Sequence, residues 1–81
     1  MHIRALFFAS YGEILGTREL TVEISRASTV EALVRELRSR GEPFSRLPPS
    51  PVVAVNREYA QEDTLLREGD EVAFLPPVAG G

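Results

Sequence analysis

No cysteine occurs in these 81 residues, which excludes disulfides, thiolate nucleophiles and cysteine-held metals. If the protein handles sulfur, no side chain of its own carries it. Lysine is absent as well: all nine cations are arginine, a bias of composition with a chemical consequence, since no side-chain amine is available to an activated acyl group. Histidine occurs once, as His2, and a single imidazole with no ligand spacing around it reads as a solvated residue. No apolar run approaches the roughly 20 residues that span a bilayer, and the first residues lack the pattern of a secretory signal. The expected setting is the cytoplasm, with no membrane partner. A net charge of −3 without a basic stripe argues against nucleic acid as a partner.

Reactive constellations are missing too. There is no Cys/His pair, no Ser-His-Asp set, no HExxH and no P-loop, and Gly12 and Gly16 do not make a dinucleotide fingerprint. The acids Glu62, Asp63, Glu68, Asp70 and Glu71 lack the spacing of a calcium loop and read as a solvated face, so no metal site and no bound cofactor are expected.

What is present is a clear alternation of periods. Residues 2–9 read as a strand with Ile3, Ala5 and Phe7 on one face and Arg4, Leu6 and Phe8 on the other. Ser10 to Gly16 reads as a connection, with both glycines as breakers and Ile14-Leu15 tucked beneath it. Residues 19–24 alternate cleanly, Leu20, Val22 and Ile24 pointing one way, as expected of a hairpin partner to the first strand. At Ser28 the period changes to 3.6: Val30, Leu33, Val34 and Leu37 form one helix stripe. Ser28 and Glu31 fit a capping box, with Thr29 as the alternative N-cap. Glu31–Arg35 is a favourable i,i+4 pair, Arg38 and Arg40 suit the last turn, and Gly41 with Pro43 stops the helix.

Residues 41–51 form an irregular connection pinned by Phe44 and Leu47; Pro48-Pro49 needs no partner to explain it. Val52 to Val55 suits a buried strand, Asn56-Arg57-Glu58 turns the chain, and Tyr59 begins another short strand. Leu65 and Leu66 are expected in the core ahead of a Glu68-Gly69-Asp70 turn. The final strand, Glu71 to Leu75, sets Val72 and Phe74 against Ala73 and Leu75. One helix cannot cover both faces of the four- to five-stranded mixed sheet this order implies, so it packs across one face of an α+β domain. The first and last strands, the most apolar, belong at the centre and side by side. That is a ubiquitin-like β-grasp, with residues 1–75 as the domain and 76–81 as a flexible arm.

The arm, Pro76-Pro77-Val78-Ala79-Gly80-Gly81, is the most unusual stretch. Two prolines end a strand and hold the chain extended, and two glycines add a tip without Cβ atoms that can enter a narrow channel. In a chain without reactive side chains, the distinctive group is the α-carboxylate of Gly81. A carboxylate is a poor acyl donor until another enzyme converts it to a mixed anhydride such as an acyl-adenylate, which a sulfur nucleophile can then turn into a thiocarboxylate.

Leu6-Phe7-Phe8-Ala9, Thr29-Val30-Glu31-Ala32-Leu33, Val53-Ala54-Val55-Asn56, Asp63-Thr64 and the whole of Gly69 to Gly81 resemble the small subunit of molybdopterin synthase, the MoaD type. The resemblance implies a β-grasp sulfur carrier. Its terminal glycine is adenylated by an ATP-dependent activating enzyme and thiocarboxylated, and the arm enters the large synthase subunit within a heterotetramer. Sulfur passes there to precursor Z, forming the molybdopterin dithiolene. By position, Gly81 bears the sulfur, Gly80 threads the channel, and Phe8, Leu75, Pro76, Pro77, Val78 and Ala79 contact the partners. Ser10-Tyr11-Gly12 and the proline-rich loop at 48–51 depart from that pattern. Competing readings are a carrier for thiamine, amino-acid or tRNA thiolation, and a ubiquitin-like module that binds or is conjugated to proteins. A chain that stops at Gly81 without an extension favours an always-available carrier.

Overall fold

A computed structural model describes residues 1–77. Five strands and two helices follow in the order β1 (His2–Phe7), α1 (Ser10–Leu15), β2 (Glu19–Glu23), α2 (Val30–Arg38), β3 (Val52–Val55), β4 (Glu58–Ala60) and β5 (Glu71–Leu75), with a 3₁₀ turn at Phe44–Arg46 before β3. The sheet order is β2-β1-β5-β3-β4. The two most apolar strands are central and adjacent, and they run parallel, with Arg4 opposite Glu71 and Phe7 opposite Phe74. The other pairings are antiparallel: Ala5 faces Leu20, Val53 faces Phe74, and Ala54 faces Tyr59.

The core lies between α2 and one face of this sheet. Val30, Leu33, Val34 and Leu37 from the helix meet Ile3, Ala5 and Phe7 of β1, Val22 of β2, Val53 of β3, and Val72 and Phe74 of β5, all buried. Full burial of one such large side chain contributes about 1.5–3 kcal/mol, so this layer holds the fold. Leu47 is buried at its edge, and Phe44 meets Phe7 edge-on with ring centroids 6.3 Å apart.

Four local expectations are corrected. Ser10 to Leu15 is a helix, α1, rather than a connection; Tyr11 and Leu15 turn inward, and Gly16 caps it with φ 73° while donating to the Gly12 carbonyl. Six residues are too few to sustain a helix alone, so it exists through this packing. The N-cap of α2 is Thr29, whose Oγ1 accepts from the Ala32 N–H at 3.2 Å; Ser28 instead donates to the Ser25 carbonyl. The capping box is replaced by the passing segment 62–66, whose Thr64 and Glu62 carbonyls accept from the Val30 and Glu31 N–H groups. These are donors that a helix start otherwise leaves unpaired. Arg40 falls beyond the Ser39 C-cap, where it reaches Glu36 at 3.5 Å, leaving Arg35 and Arg38 in the last turn. Leu66 is buried, but Leu65 is 62% exposed, since consecutive residues on an extended segment cannot both face the core.

Candidate functional site

Among the described residues no helix covers the face of the sheet opposite α2, and the register splits that face in two. At one end stand charged and polar groups: Arg4 lies 3.3 Å from Glu19 and 3.7 Å from Glu71, and the His2 imidazole lies 3.2 Å from Glu23. These are solvent-exposed pairs worth little individually; they keep that half hydrated.

The other half is apolar from β1 to β4, with a carboxylate only at its β2 edge, where Glu19 stands opposite Leu6. One cross-strand row reads Leu6, Ala73, Ala54, Tyr59, from β1 through β5 and β3 to β4. The next places Leu75 opposite Val52, with Phe8 beside them through its N–H to the Phe74 carbonyl at 3.2 Å. Small residues fill the centre, where Ala54 and Ala73 are buried, and large ones stand at the rim: Phe8 is 48%, Val52 52% and Tyr59 81% exposed. The result is an apolar groove of about 730 Å³ along Phe8, Val52, Tyr59, Leu75, Pro76 and Pro77. Contiguous exposed apolar surface of this kind marks interaction sites on soluble domains.

Phe8 is aimed outward by the turn that follows it. Ala9 takes φ 48° and ψ −127°, a conformation sparsely populated by residues with a Cβ. The Phe8 carbonyl then accepts from the Tyr11 N–H at 3.0 Å and the Ala9 carbonyl from the Gly12 N–H at 3.1 Å. Helix α1 is thereby held close against the end of β1, so close that a Cβ on Gly12 would lie 3.0 Å from the Phe7 carbonyl oxygen. Gly12 is therefore a contact requirement, not the breaker its sequence position suggested. The Tyr11 hydroxyl is pushed above the ordinary tyrosine range by burial, so it stays neutral and offers no acid–base chemistry near neutral pH.

Phe8, Leu75, Pro76 and Pro77, singled out in the sequence, line one groove. Val78, Ala79, Gly80 and Gly81 lie outside the described residues. Val52 and Tyr59 were missed as site residues. Their only signal is that β3 and β4 pair in register beside β5, which requires the strand order. Among the described residues no group of three or more His, Cys, Asp or Glu side chains could hold a metal ion. What the described surface can do is dock, and hold the start of the arm at the edge of the docking groove.

Known proteins resemble this chain in sequence and in fold. The ThiS family matches residues 5–81. The chain is 34% identical over 83 residues to the molybdopterin synthase sulfur carrier subunit of Chlamydomonas reinhardtii, covering 100% of both. It is 37% identical over 81 residues to the protein of the same name from Escherichia coli, covering 98% of this chain and 99% of that one. Among solved structures, a Pyrococcus furiosus protein described as a molybdopterin converting factor subunit 1 superposes with a TM-score of 0.81 at 27% identity, over 96% of this chain and 99% of that one. The small archaeal modifier protein 1 of Haloferax volcanii superposes with a TM-score of 0.73 at 29% identity, over 95% and 98%.

Proposed function

The chain is a member of the ThiS family, a MoaD-type β-grasp protein, and from that membership we propose that it is the sulfur carrier subunit of a molybdopterin synthase. The observation that carries the reading is the full-length match, at a third or more identity, to proteins bearing that name in an alga and a bacterium. The chemistry is what the resemblance to that family implies, and it calls on no side chain of this chain. An activating enzyme joins the Gly81 carboxylate to AMP, with pyrophosphate leaving ATP. Sulfide displaces AMP and leaves a thiocarboxylate, which gives its sulfur to precursor Z to build the dithiolene while water restores the Gly81 carboxylate. The chain binds no cofactor itself; ATP belongs to the activating partner.

The apolar groove is the surface through which the large synthase subunit, in a heterotetramer, and the activating enzyme hold the carrier. Phe8 and Leu75 anchor the contact, and Pro76 to Ala79 lead Gly80 and Gly81 into the partner's active site. The prolines matter because a pre-extended arm loses less conformational freedom on insertion. No helix among the described residues is long and apolar enough to cross a membrane, and we place the protein in the cytoplasm with its partners.

The test is an intact mass of the chain after incubation with ATP, a sulfur source and its native cell extract. The carrier reading requires a mass gain equal to one oxygen replaced by sulfur, localised to Gly81. Likeness to an archaeal modifier protein favours a second reading, attachment of the same terminus to protein amines. A product joined to a lysine of another protein would put that reading first, and an unmodified chain would remove both.

A further inference from the structure

We propose that the free edge of β2 and the cleft between it and α2 form a second docking surface, one that takes an extended protein segment in which basic residues flank an apolar one. This surface stands apart from the groove at Phe8 and does not depend on the sulfur chemistry at Gly81.

β2 is an outer strand of the sheet. The Arg18 carbonyl accepts from the Phe7 N–H and the Met1 carbonyl from the Ile24 N–H, each at 2.9 Å. In an antiparallel ladder such bonded pairs alternate, so Arg18, Leu20, Val22 and Ile24 turn their backbone groups toward β1. Glu19, Thr21 and Glu23 turn theirs outward. The Thr17 hydroxyl closes off the first of these, donating to the Glu19 carbonyl at 2.8 Å. Thr21 and Glu23 keep two N–H and two C=O groups that no described residue meets. Neither a proline nor a bulge blunts this stretch, and β4, at the other edge, is only three residues long.

Side chains beside that edge are also incompletely covered. Val22 is fully buried, whereas Leu20 and Ile24 on the same face of β2 are half-buried, leaving apolar surface on the α2 side. Half-buried Ile24 and Ala32 and exposed Glu23 and Glu36 line an open cleft of about 540 Å³ there. Ala32 and Glu36 are one turn apart on the same side of α2. Glu23 lies 3.2 Å from the His2 imidazole and Glu36 lies 3.5 Å from Arg40, yet their side chains remain 77% and 45% exposed.

Together these features select the occupant. A strand added to a free edge gains affinity through its main chain and specificity through alternate side chains. Paired with Thr21 and Glu23, such a segment sends one side chain into the cleft against Ile24 and Ala32, where an apolar group fits. Its neighbours emerge on the face that holds Glu19 and Glu23, where basic groups fit. A second copy of this chain is refused. Antiparallel pairing of two β2 edges sets Glu19 opposite Glu23 when centred on Thr21, and Glu23 opposite itself when centred there. Centred on Val22, it sets the two Glu23 side chains on one diagonal. Like charges so placed are destabilising, so the acids guard the edge against self-pairing and leave it open to a cationic strand. The cleft shares no residue with the groove at Phe8. It lies at the Met1–Ile24 end of the sheet and the groove at the Phe8–Leu75 end, so both surfaces can be occupied at once.

The probe is a short, end-blocked peptide of alternating lysine and valine, titrated into the isotope-labelled full chain and followed by amide chemical shifts; its counterpart alternates glutamate and valine. The lysine peptide should shift the Thr21, Glu23 and Ala32 amides and leave Phe8, Tyr59 and Leu75 unmoved, and the glutamate peptide should shift none. Thr21→Pro removes an outward N–H without breaking the ladder to β1 and should weaken binding about two- to tenfold, whereas Thr21→Val should not. Glu23→Lys combined with Glu36→Lys should reverse the preference between the two peptides, and this variant decides the matter if the proline variant does not fold. Phe8→Arg should bind the lysine peptide as wild type does. No shift, shifts confined to the groove, equal binding of both peptides, or a folded Thr21→Pro chain that binds undiminished would overturn the proposal. So would a preference that survives the double charge reversal, or concentration-dependent shifts of Thr21 and Glu23 without peptide, which would show self-pairing at this edge.

Discussion

Replacing Phe8 should weaken the complex with the large synthase subunit far more than it weakens the fold. Phe8 is 48% exposed in the free chain, whereas its neighbour Phe7 is 2% exposed. With an aromatic side chain presenting about 200 Å², roughly 100 Å² of Phe8 remains for a partner to cover. At about 25 cal/mol per Å² that is ~2.5 kcal/mol of docking free energy, equivalent to roughly fifty-fold or more in Kd. Phe8→Ala should therefore raise Kd by about that factor. Phe8→Arg should raise it further, because an unpaired charge would be buried in an uncharged groove. Phe8→Ala should lower folding stability by only about 1 kcal/mol, while Phe7→Ala, in the core against Phe74 and Phe44, should lose about 3–5 kcal/mol. Calorimetric titration against the large subunit, with urea unfolding of each variant, separates the two effects. Unchanged affinity in a folded Phe8→Arg protein would show that the uncovered face is not the docking surface.

Other outcomes follow from the same geometry. Deleting Gly81 should abolish the sulfur-dependent mass gain and leave the urea midpoint unchanged, since the residue lies beyond β5; a truncated chain still active in sulfur transfer would refute the carrier role. Gly12→Ala should destabilise by about 1–2 kcal/mol despite alanine's helix preference of roughly 1 kcal/mol, because the Cβ meets the Phe7 carbonyl at 3.0 Å; an unchanged or raised urea midpoint would show that the strand end yields. The Tyr11 hydroxyl binds its proton more tightly folded than unfolded. That contribution is complete below the ordinary tyrosine pKa of about 10 and is lost as pH rises through the higher folded value. Alkaline unfolding midpoints should fall more steeply for wild type than for Tyr11→Phe, and identical profiles would contradict the burial of that hydroxyl.

Much of the molecule is legible along the chain because hydrophobic period is a local property. A period of two over residues 2–8 and 19–24, and of 3.6 over 30–37, states both the element and its inward face, and Ile3, Phe7, Val22, Leu33 and Phe74 are buried as their spacing requires. The helix stripe at 30–37 and the apolar first and last strands carry the β-grasp. The paucity of reactive side chains, with a Gly-Gly end, directs attention to the terminus.

The tertiary structure decided what depends on partners distant in sequence. Helix α1 is too short to display a period and is held by Tyr11 and Leu15 against β1. Thr29 rather than Ser28 caps α2 because the segment at 62–66 supplies the remaining acceptors. Leu65 and Leu66 are equivalent in hydrophobicity, and only the path of the chain past the helix turns one out and the other in. Tyr59 and Val52 join Phe8 and Leu75 in one groove because β3 and β4 continue the sheet beyond β5. Residue types along the chain determine which faces are apolar; the order in which strands pair determines which of those faces meet.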